Sequence, residues 1–333
     1  MEKSLATKII KGDLKMNVEN VILSFIFNIC NWALLPMETR ARKNFQNVID
    51  EMDISYSDKC PACKLDIHYQ EKKPAQKRPA LVNIHGGGLI IGDKKNSTYY
   101  CYEIAGKSDV IVFNINYGMP GKEVPAMFEG CDPVASHNDE WVFPLPIRTH
   151  MDALRFVAEH AEEYNIDLDN VFVSGDSAGS EMTGITMACF CSEEYRNALG
   201  VELPNFKPKG FIMNCGLYNM NVYKYIPIGR VMWVKFMGDK APHKNALWKY
   251  HNPIPYINKD AGNAFVLKGM TDILTIFQSD WMAKKLRSEG VNTTYYIGKN
   301  PLDSFHDFMI SPGKEATKAL DATRAWILET ARK

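Results

Sequence analysis

A chain of 333 residues with 46% apolar and 23% charged content can bury the core of one large α/β domain or of two smaller ones. Its 39 basic residues balance 39 acidic ones, so no global field draws it to nucleic acid or to an anionic membrane. The eight cysteines (Cys30, Cys60, Cys63, Cys101, Cys131, Cys189, Cys191 and Cys215) are too few and too dispersed for a disulfide scaffold; reduced thiols fit a cytoplasmic setting.

Residues 16–35 are rich in Phe, Ile, Leu and Val. Their polar members Asn17, Asn20, Ser24, Asn28 and Asn31 recur at helical spacing and form one stripe. No uninterrupted apolar run approaches the ~20 residues of a membrane span, and Glu19 with the polar stripe spoils a signal-peptide core. The spacing predicts an amphipathic helix that turns Ile22, Phe25, Ile26 and Ile29 inward and ends at Pro36. Cys60-Pro61-Ala62-Cys63 is a CxxC without a second CxxC or a nearby histidine pair. It reads as ordinary thiols in a strand-edge turn, and no metal site is expected.

From residue 53 strand-like and helix-like segments alternate, the signature of an α/β sheet. Strands are predicted near 53–58, 64–69, 79–84, 110–115, 170–174, 209–215, 263–268 and 293–297, and helices near 96–106, 147–164, 177–195, 275–289 and 314–331. Val110-Ile111-Val112-Phe113 is continuously apolar, as in a strand covered on both faces. Gly290 is placed to cap the helix before it. Two connections, 118–146 and 219–262, exceed ordinary loop length. The second is expected to form a cap, with Tyr223, Met232, Trp233, Phe236 and Trp248 offering pocket surface. The predicted organisation is N-terminal cap helices over 1–52, a catalytic domain over 53–218 and 263–333, and a second cap segment over 219–262.

Gly175-Asp176-Ser177-Ala178-Gly179 follows Val171-Phe172-Val173 and precedes a helical run. A Gly-x-Ser-x-Gly between strand and helix is the pattern of a nucleophile elbow, in which the serine sits on a sharp turn with its Oγ exposed. Upstream, His85-Gly86-Gly87-Gly88 follows the strand-like 80–84. Backbone N–H groups of Gly86, Gly87, Gly88 and Ala178 are therefore the candidate oxyanion donors, with His85 orienting the loop. Ser177 needs a base, and histidine titrates in the right range. Where the partners follow the serine in the order acid, then histidine, only His243, His251 and His306 qualify. His306 alone lies beyond the last predicted strand. Asp272, just after the 263–268 strand, is the preferred acid, with Asp303 as its rival.

Taken together, His85-Gly86-Gly87-Gly88, Gly175-Asp176-Ser177-Ala178-Gly179, Asp272 and His306-Asp307-Phe308 resemble the hormone-sensitive-lipase-like group of α/β hydrolases, over residues 53–333. The group includes many bacterial carboxylesterases. The resemblance implies an α/β-hydrolase fold, with a mostly parallel eight-stranded sheet flanked by helices and covered by a helical cap. It makes the oxyanion donors Ala178 with either Gly87 and Gly88 or Gly86 and Gly87. Asn116-Tyr117-Gly118-Met119-Pro120 departs from the group's Tyr-Arg-Leu-Ala-Pro, and Ser180 stands where a third glycine often follows. The expected activity is hydrolysis of short- to medium-chain carboxylic esters with neither metal nor organic cofactor. Amide, formamide or carbamate hydrolysis by the same residues is one alternative. A ligand-binding homologue is the other; the resembling gibberellin receptors lack the histidine that His306 supplies here. The expected partner is a small-molecule ester, with no nucleic acid and no membrane span; the oligomeric state is left open, a homodimer included.

Overall fold

A computed structural model describes residues 39–120, 138, 140–223 and 227–332. The helix expected over 16–35, Cys30, Cys131 and most of the 118–146 connection lie outside the described residues.

Eight strands, β1 (Ile49–Ser55), β2 (Lys64–Tyr69), β3 (Arg78–Ile84), β4 (Ile111–Ile115), β5 (Ile166–Asp176), β6 (Gly210–Asn214), β7 (Asn263–Lys268) and β8 (Thr293–Ile297), form one sheet. Their order is β1-β2-β4-β3-β5-β6-β7-β8. The β1–β2 and β2–β4 pairs are antiparallel and all others parallel. β1 departs from its predicted 53–58 because Asp50, Glu51 and Asp53 mask it. Charges suit an exposed edge strand but weaken the sequence signal. At its bulge, between Glu51 and Ile54, Asp53 takes φ 56° and its N–H bonds Asp66 Oδ1 at 2.8 Å.

Alternation along the central strands feeds two apolar layers. Ala80, Val82, Ile84, Ile111, Phe113, Val171 and Val173 belong to one; Leu81, Val112 and Phe172 belong to the other, with Trp326 and Ile327. Helices α1 (Thr98–Ala105), α2 (Leu145–Glu159), α3 (Ala178–Cys191), α4 (Glu193–Leu199), α5 (Pro227–Met237), α6 (Gln278–Ser288) and α7 (Lys314–Ala331) belong to the described framework, with a one-turn helix at Ala161–Tyr164 split from α2 at His160. The helix predicted over 177–195 divides because Ser192 is extended and caps α4 by accepting from the Tyr195 N–H at 3.2 Å. α6 starts only at Gln278, since Phe277 is left-handed. At its end Gly290 N–H bonds Arg287 C=O and Val291 N–H bonds Leu286 C=O, the paired bonds of a Schellman cap.

The described residues of 219–262 contribute no strand; α5 is flanked there by short 3₁₀ turns. The loops after β3, β5, β6 and β7, and the segment beyond β8, lie at the carboxyl edge of the sheet, where open α/β sheets bind ligands. Among the described residues no helix is long and apolar enough to cross a membrane.

Candidate active site

The turn from β5 into α3 places Ser177 at φ 51°, ψ −116°, a strained conformation for a residue with a Cβ, costing about 1–3 kcal/mol. The flanking glycines are steric necessities: a Cβ on Gly175 would lie 2.2 Å from Gly179 O, and one on Gly179 2.0 Å from Ile84 O. Ser177 N–H donates to Asn214 C=O of β6 at 2.9 Å, which fixes the turn against the neighbouring strand.

The structure brings Ser177, His306 and Asp272 together from three separate loops. His306 Nε2 lies 2.9 Å from Ser177 Oγ, and its Nδ1 lies 3.0 Å from Asp272 Oδ2. The two partner loops are tied to each other, Thr271 N–H donating to Ser304 C=O at 3.1 Å. Asp272 is further held by the N–H groups of Leu274 and Thr275, both at 3.0 Å to Oδ1, and by the Thr275 hydroxyl at 2.5 Å to Oδ2. Burial alone would raise its pKa; the hydrogen bonds and charge of His306, with the Thr275 bonds, outweigh burial and lower it. Asp303 is engaged elsewhere, its Oδ2 accepting Glu315 N–H at 3.0 Å in the first turn of α7. His251 is packed between Trp233 and Trp248, at ring separations of 4.7 and 4.6 Å, and burial lowers its pKa to about 4.

The His85–Gly88 loop lies beside the elbow. Gly86 N–H is spent on Asp176 Oδ2 at 3.0 Å, which leaves Gly87, Gly88 and Ala178 of the four predicted donors. Gly87 has φ +123°, and a Cβ there would lie 1.7 Å from Ile91 O. His85 Nδ1 lies 2.7 Å from Gly86 O, and its ring stacks on Tyr117 at 4.6 Å. Asp176 also accepts the Ser97 hydroxyl at 3.0 Å. Burial, reinforced by the charge of Asp307, raises its pKa to about 7.

Of the predicted pocket residues, Trp233 donates from Nε1 to Met220 C=O at 3.1 Å, and Phe236 is buried against Phe143 at 5.3 Å. Trp233 and Trp248 also line a cavity of about 560 Å³ together with Asn221, Arg230, Lys240, Pro242 and His243. From this segment Met232 reaches the His85–Gly88 loop, its methyl lying 2.8 Å from where a Gly88 Cβ would be. Cys60 and Cys63 sit in a turn closed by Cys63 N–H to Cys60 C=O at 3.0 Å.

Asp307 received no role from the sequence. Its Oδ2 lies 3.0 Å from His306 Nε2. Adjacent side chains ordinarily diverge; here a left-handed backbone, φ 52°, accompanies the contact. Cys215 was missed too: its Sγ, an Asp272 oxygen and a His306 ring nitrogen lie within 4.8 Å of one another.

A mostly parallel eight-stranded sheet, carrying a serine on a strained strand–helix turn and a histidine and an acid on later loops, defines an α/β hydrolase. The chain belongs to the BD-FAE family, whose profile matches residues 65–286. Among solved structures it is similar to esterase B from Lactobacillus rhamnosis in complex with a tributyrin phosphonate inhibitor, at TM-score 0.73 and 19% identity over 93% of this chain and 96% of that one. A hyperthermophilic esterase from Pyrobaculum calidifontis matches at TM-score 0.69 and 19% identity, over 99% of each chain. At these identities the likeness is one of fold. Curated relatives include a putative alpha/beta hydrolase of Acanthamoeba polyphaga mimivirus, 23% identical over 51% of this chain and 46% of that protein. A tuliposide A-converting enzyme of Tulipa gesneriana is 33% identical over 33% of this chain and 27% of its own length. Esterase LipI of Mycobacterium tuberculosis is 31% identical over 32% and 28%. The match thus spans less than half the length of each of these curated relatives.

Proposed function

We propose that this protein hydrolyses short- to medium-chain carboxylic esters of small molecules through an acyl-enzyme on Ser177. The contact that carries the reading is Ser177 Oγ to His306 Nε2 at 2.9 Å, with Asp272 on the opposite ring nitrogen. Neutral His306 takes the Ser177 proton as Oγ attacks the ester carbonyl, and Asp272 holds the tautomer and stabilises the imidazolium that forms. The N–H groups of Gly87, Gly88 and Ala178 receive the developing oxyanion, each worth about 3 kcal/mol of transition-state stabilisation. His306 then gives its proton to the leaving alkoxide. Water repeats the sequence on the acyl-enzyme, with His306 again as base, and releases the acid.

The named esterases among the similar structures and relatives support the ester class. Esters also need less leaving-group protonation than amides. Residues 219–262 act as a cap together with the segment before β1, over a catalytic domain that begins with β1 at Ile49 rather than at 53 and resumes at 263–333; Met232 beside Gly88 supports the cap reading of 219–262. The six described cysteines are free thiols, in keeping with a cytoplasmic location. A panel of matched esters and amides, assayed with the wild type and Ser177→Ala, tests the proposal. Ester turnover abolished by the substitution is expected; amide turnover exceeding ester turnover would assign the amidase alternative.

A further inference from the structure

The imidazole of His306 meets three oxygen atoms. Asp272 Oδ2 faces Nδ1 at 3.0 Å, while Nε2 faces both Ser177 Oγ at 2.9 Å and Asp307 Oδ2 at 3.0 Å. A neutral ring that donates from Nδ1 to Asp272 has one lone pair at Nε2. The Ser177 hydroxyl can donate to that lone pair, but a carboxylate cannot, because two lone pairs would then oppose each other. The contact with Asp307 therefore requires a proton between the two groups. The other carboxylate oxygen of Asp307, Oδ1, is buried and lacks a hydrogen-bond partner among the described residues.

We propose that Asp307 is a positioning residue that holds His306 as an imidazolium clamped between two carboxylates in the free enzyme, which displaces the working range to alkaline pH. The proposal rests on the reading of Ser177, His306 and Asp272 as the catalytic group. Arming the site is then the loss of one proton, from Nε2 to bulk water, and no other covalent bond changes. The freed lone pair accepts from Ser177, and Asp307 no longer has a proton to share.

The groups facing the ring come from every element around it. Asp272 approaches from the loop after β7, Asp176 from the end of β5, Ser177 from the start of α3, Cys215 from the end of β6 and Asp307 from the ring's own loop. Three of these five are carboxyl groups, and among the described residues none of the three pairs with a lysine or arginine. Burial of His306 would depress its pKa, but the charge of Asp307 and the bonds and charge of Asp272 prevail and carry it up to about 10. Burial raises Asp307 itself, against the pull of the imidazolium.

The test uses the full chain, with 4-nitrophenyl acetate as substrate and a fluorophosphonate as serine probe. The pH dependence of kcat/KM and of the labelling rate is compared in the wild type, Asp307→Asn and Asp307→Glu. An asparagine presents an N–H to the neutral lone pair, so the acid limb of Asp307→Asn should fall by at least about one pH unit. At pH 6 that variant should then retain about tenfold more of its own plateau than the wild type does. Asp307→Glu, which keeps the charge, should stay close to the wild type. Coincident acid limbs in wild type and Asp307→Asn would overturn the proposal. Should Asp307→Asn fail to fold, nitrogen-15 NMR of the wild-type imidazole decides: both His306 ring nitrogens protonated at pH 7 is the expected result, and a neutral ring titrating near ~6.5 is the contrary one. Labelling and turnover undiminished in Ser177→Ala would instead strike the catalytic reading, while the NMR result still speaks for or against the clamp.

Discussion

Asp176 accepts the N–H of Gly86 at 3.0 Å, so the residue before the candidate nucleophile holds the loop of the candidate oxyanion donors. That bond ties elbow and loop together, and the same carboxylate takes the Ser97 hydroxyl, just ahead of α1, with its other oxygen. Asp176→Ala would leave two buried donors unpaired, at a cost of about 1–3 kcal/mol each. Denaturant unfolding should show that loss, and kcat should fall with it even though Ser177 is intact. Unchanged kcat in a folded Asp176→Ala would detach the loop from the elbow.

Asp176 also predicts a pH dependence of stability. Its folded pKa, about 7, is raised from an ordinary carboxyl value of 3.8, so its contribution is full below that value and is lost as pH rises through about 7. Between pH 4 and 8 the wild type should lose stability relative to Asp176→Asn. Parallel stability curves for the two proteins would contradict the buried, protonatable carboxyl.

The two candidate acids separate cleanly by substitution. Asp272→Asn should lower kcat by about 10³–10⁴-fold, through the wrong tautomer of His306. Asp303→Asn should leave kcat within about twofold and cost at most about 1–2 kcal/mol, since its role is to accept an N–H at the start of α7. The reverse ranking would make Asp303 the acid.

Gly87 and Gly290 share a positive φ but not surroundings. A Cβ on Gly87 would collide with Ile91 O at 1.7 Å, whereas one on Gly290, φ +77°, meets nothing within 4 Å. Gly290→Ala should therefore cost only the left-handed strain of about 1–2 kcal/mol with kcat unchanged. Gly87→Ala must displace the loop, and kcat should fall by about a hundredfold or more. Equal kinetics in the two variants would remove the loop from the mechanism.

Met232 beside Gly88 is expected to limit acyl length. Along an otherwise identical ester series, each methylene that is buried should gain about 0.8 kcal/mol until the pocket is full. Activity should then decline, and Met232→Ala should move the optimum to longer chains. Peak activity of the wild type on long-chain triglyceride emulsions would point to a lipase.

Much of this arrangement was legible in the chain. The central strands announced themselves because strands covered on both faces must be continuously apolar, as Val110-Ile111-Val112-Phe113 is. Chain order and strand ends singled out His306 and Asp272, which the fold brings to Ser177. β1 was blurred by Asp50, Glu51 and Asp53, acids that an edge strand tolerates. The break at Ser192 depends on a side-chain cap, visible only once helical periodicity is weighed against a local hydrogen bond. Gly86 could not be told from its glycine neighbours until Asp176 was seen to occupy its N–H. Asp307 was the least legible, because its contact depends on the folded backbone at one residue, φ 52°, and no residue pattern encodes that angle.

In the proposed reaction Ser177 carries the acyl group. Rapid quenching of the protein with 4-nitrophenyl butyrate, followed by peptide mass spectrometry, tests it most directly. A butyryl adduct is expected on the peptide containing Ser177, absent from Ser177→Ala and slow to form in His306→Ala. An adduct on another residue, or full ester turnover by Ser177→Ala, would contradict it.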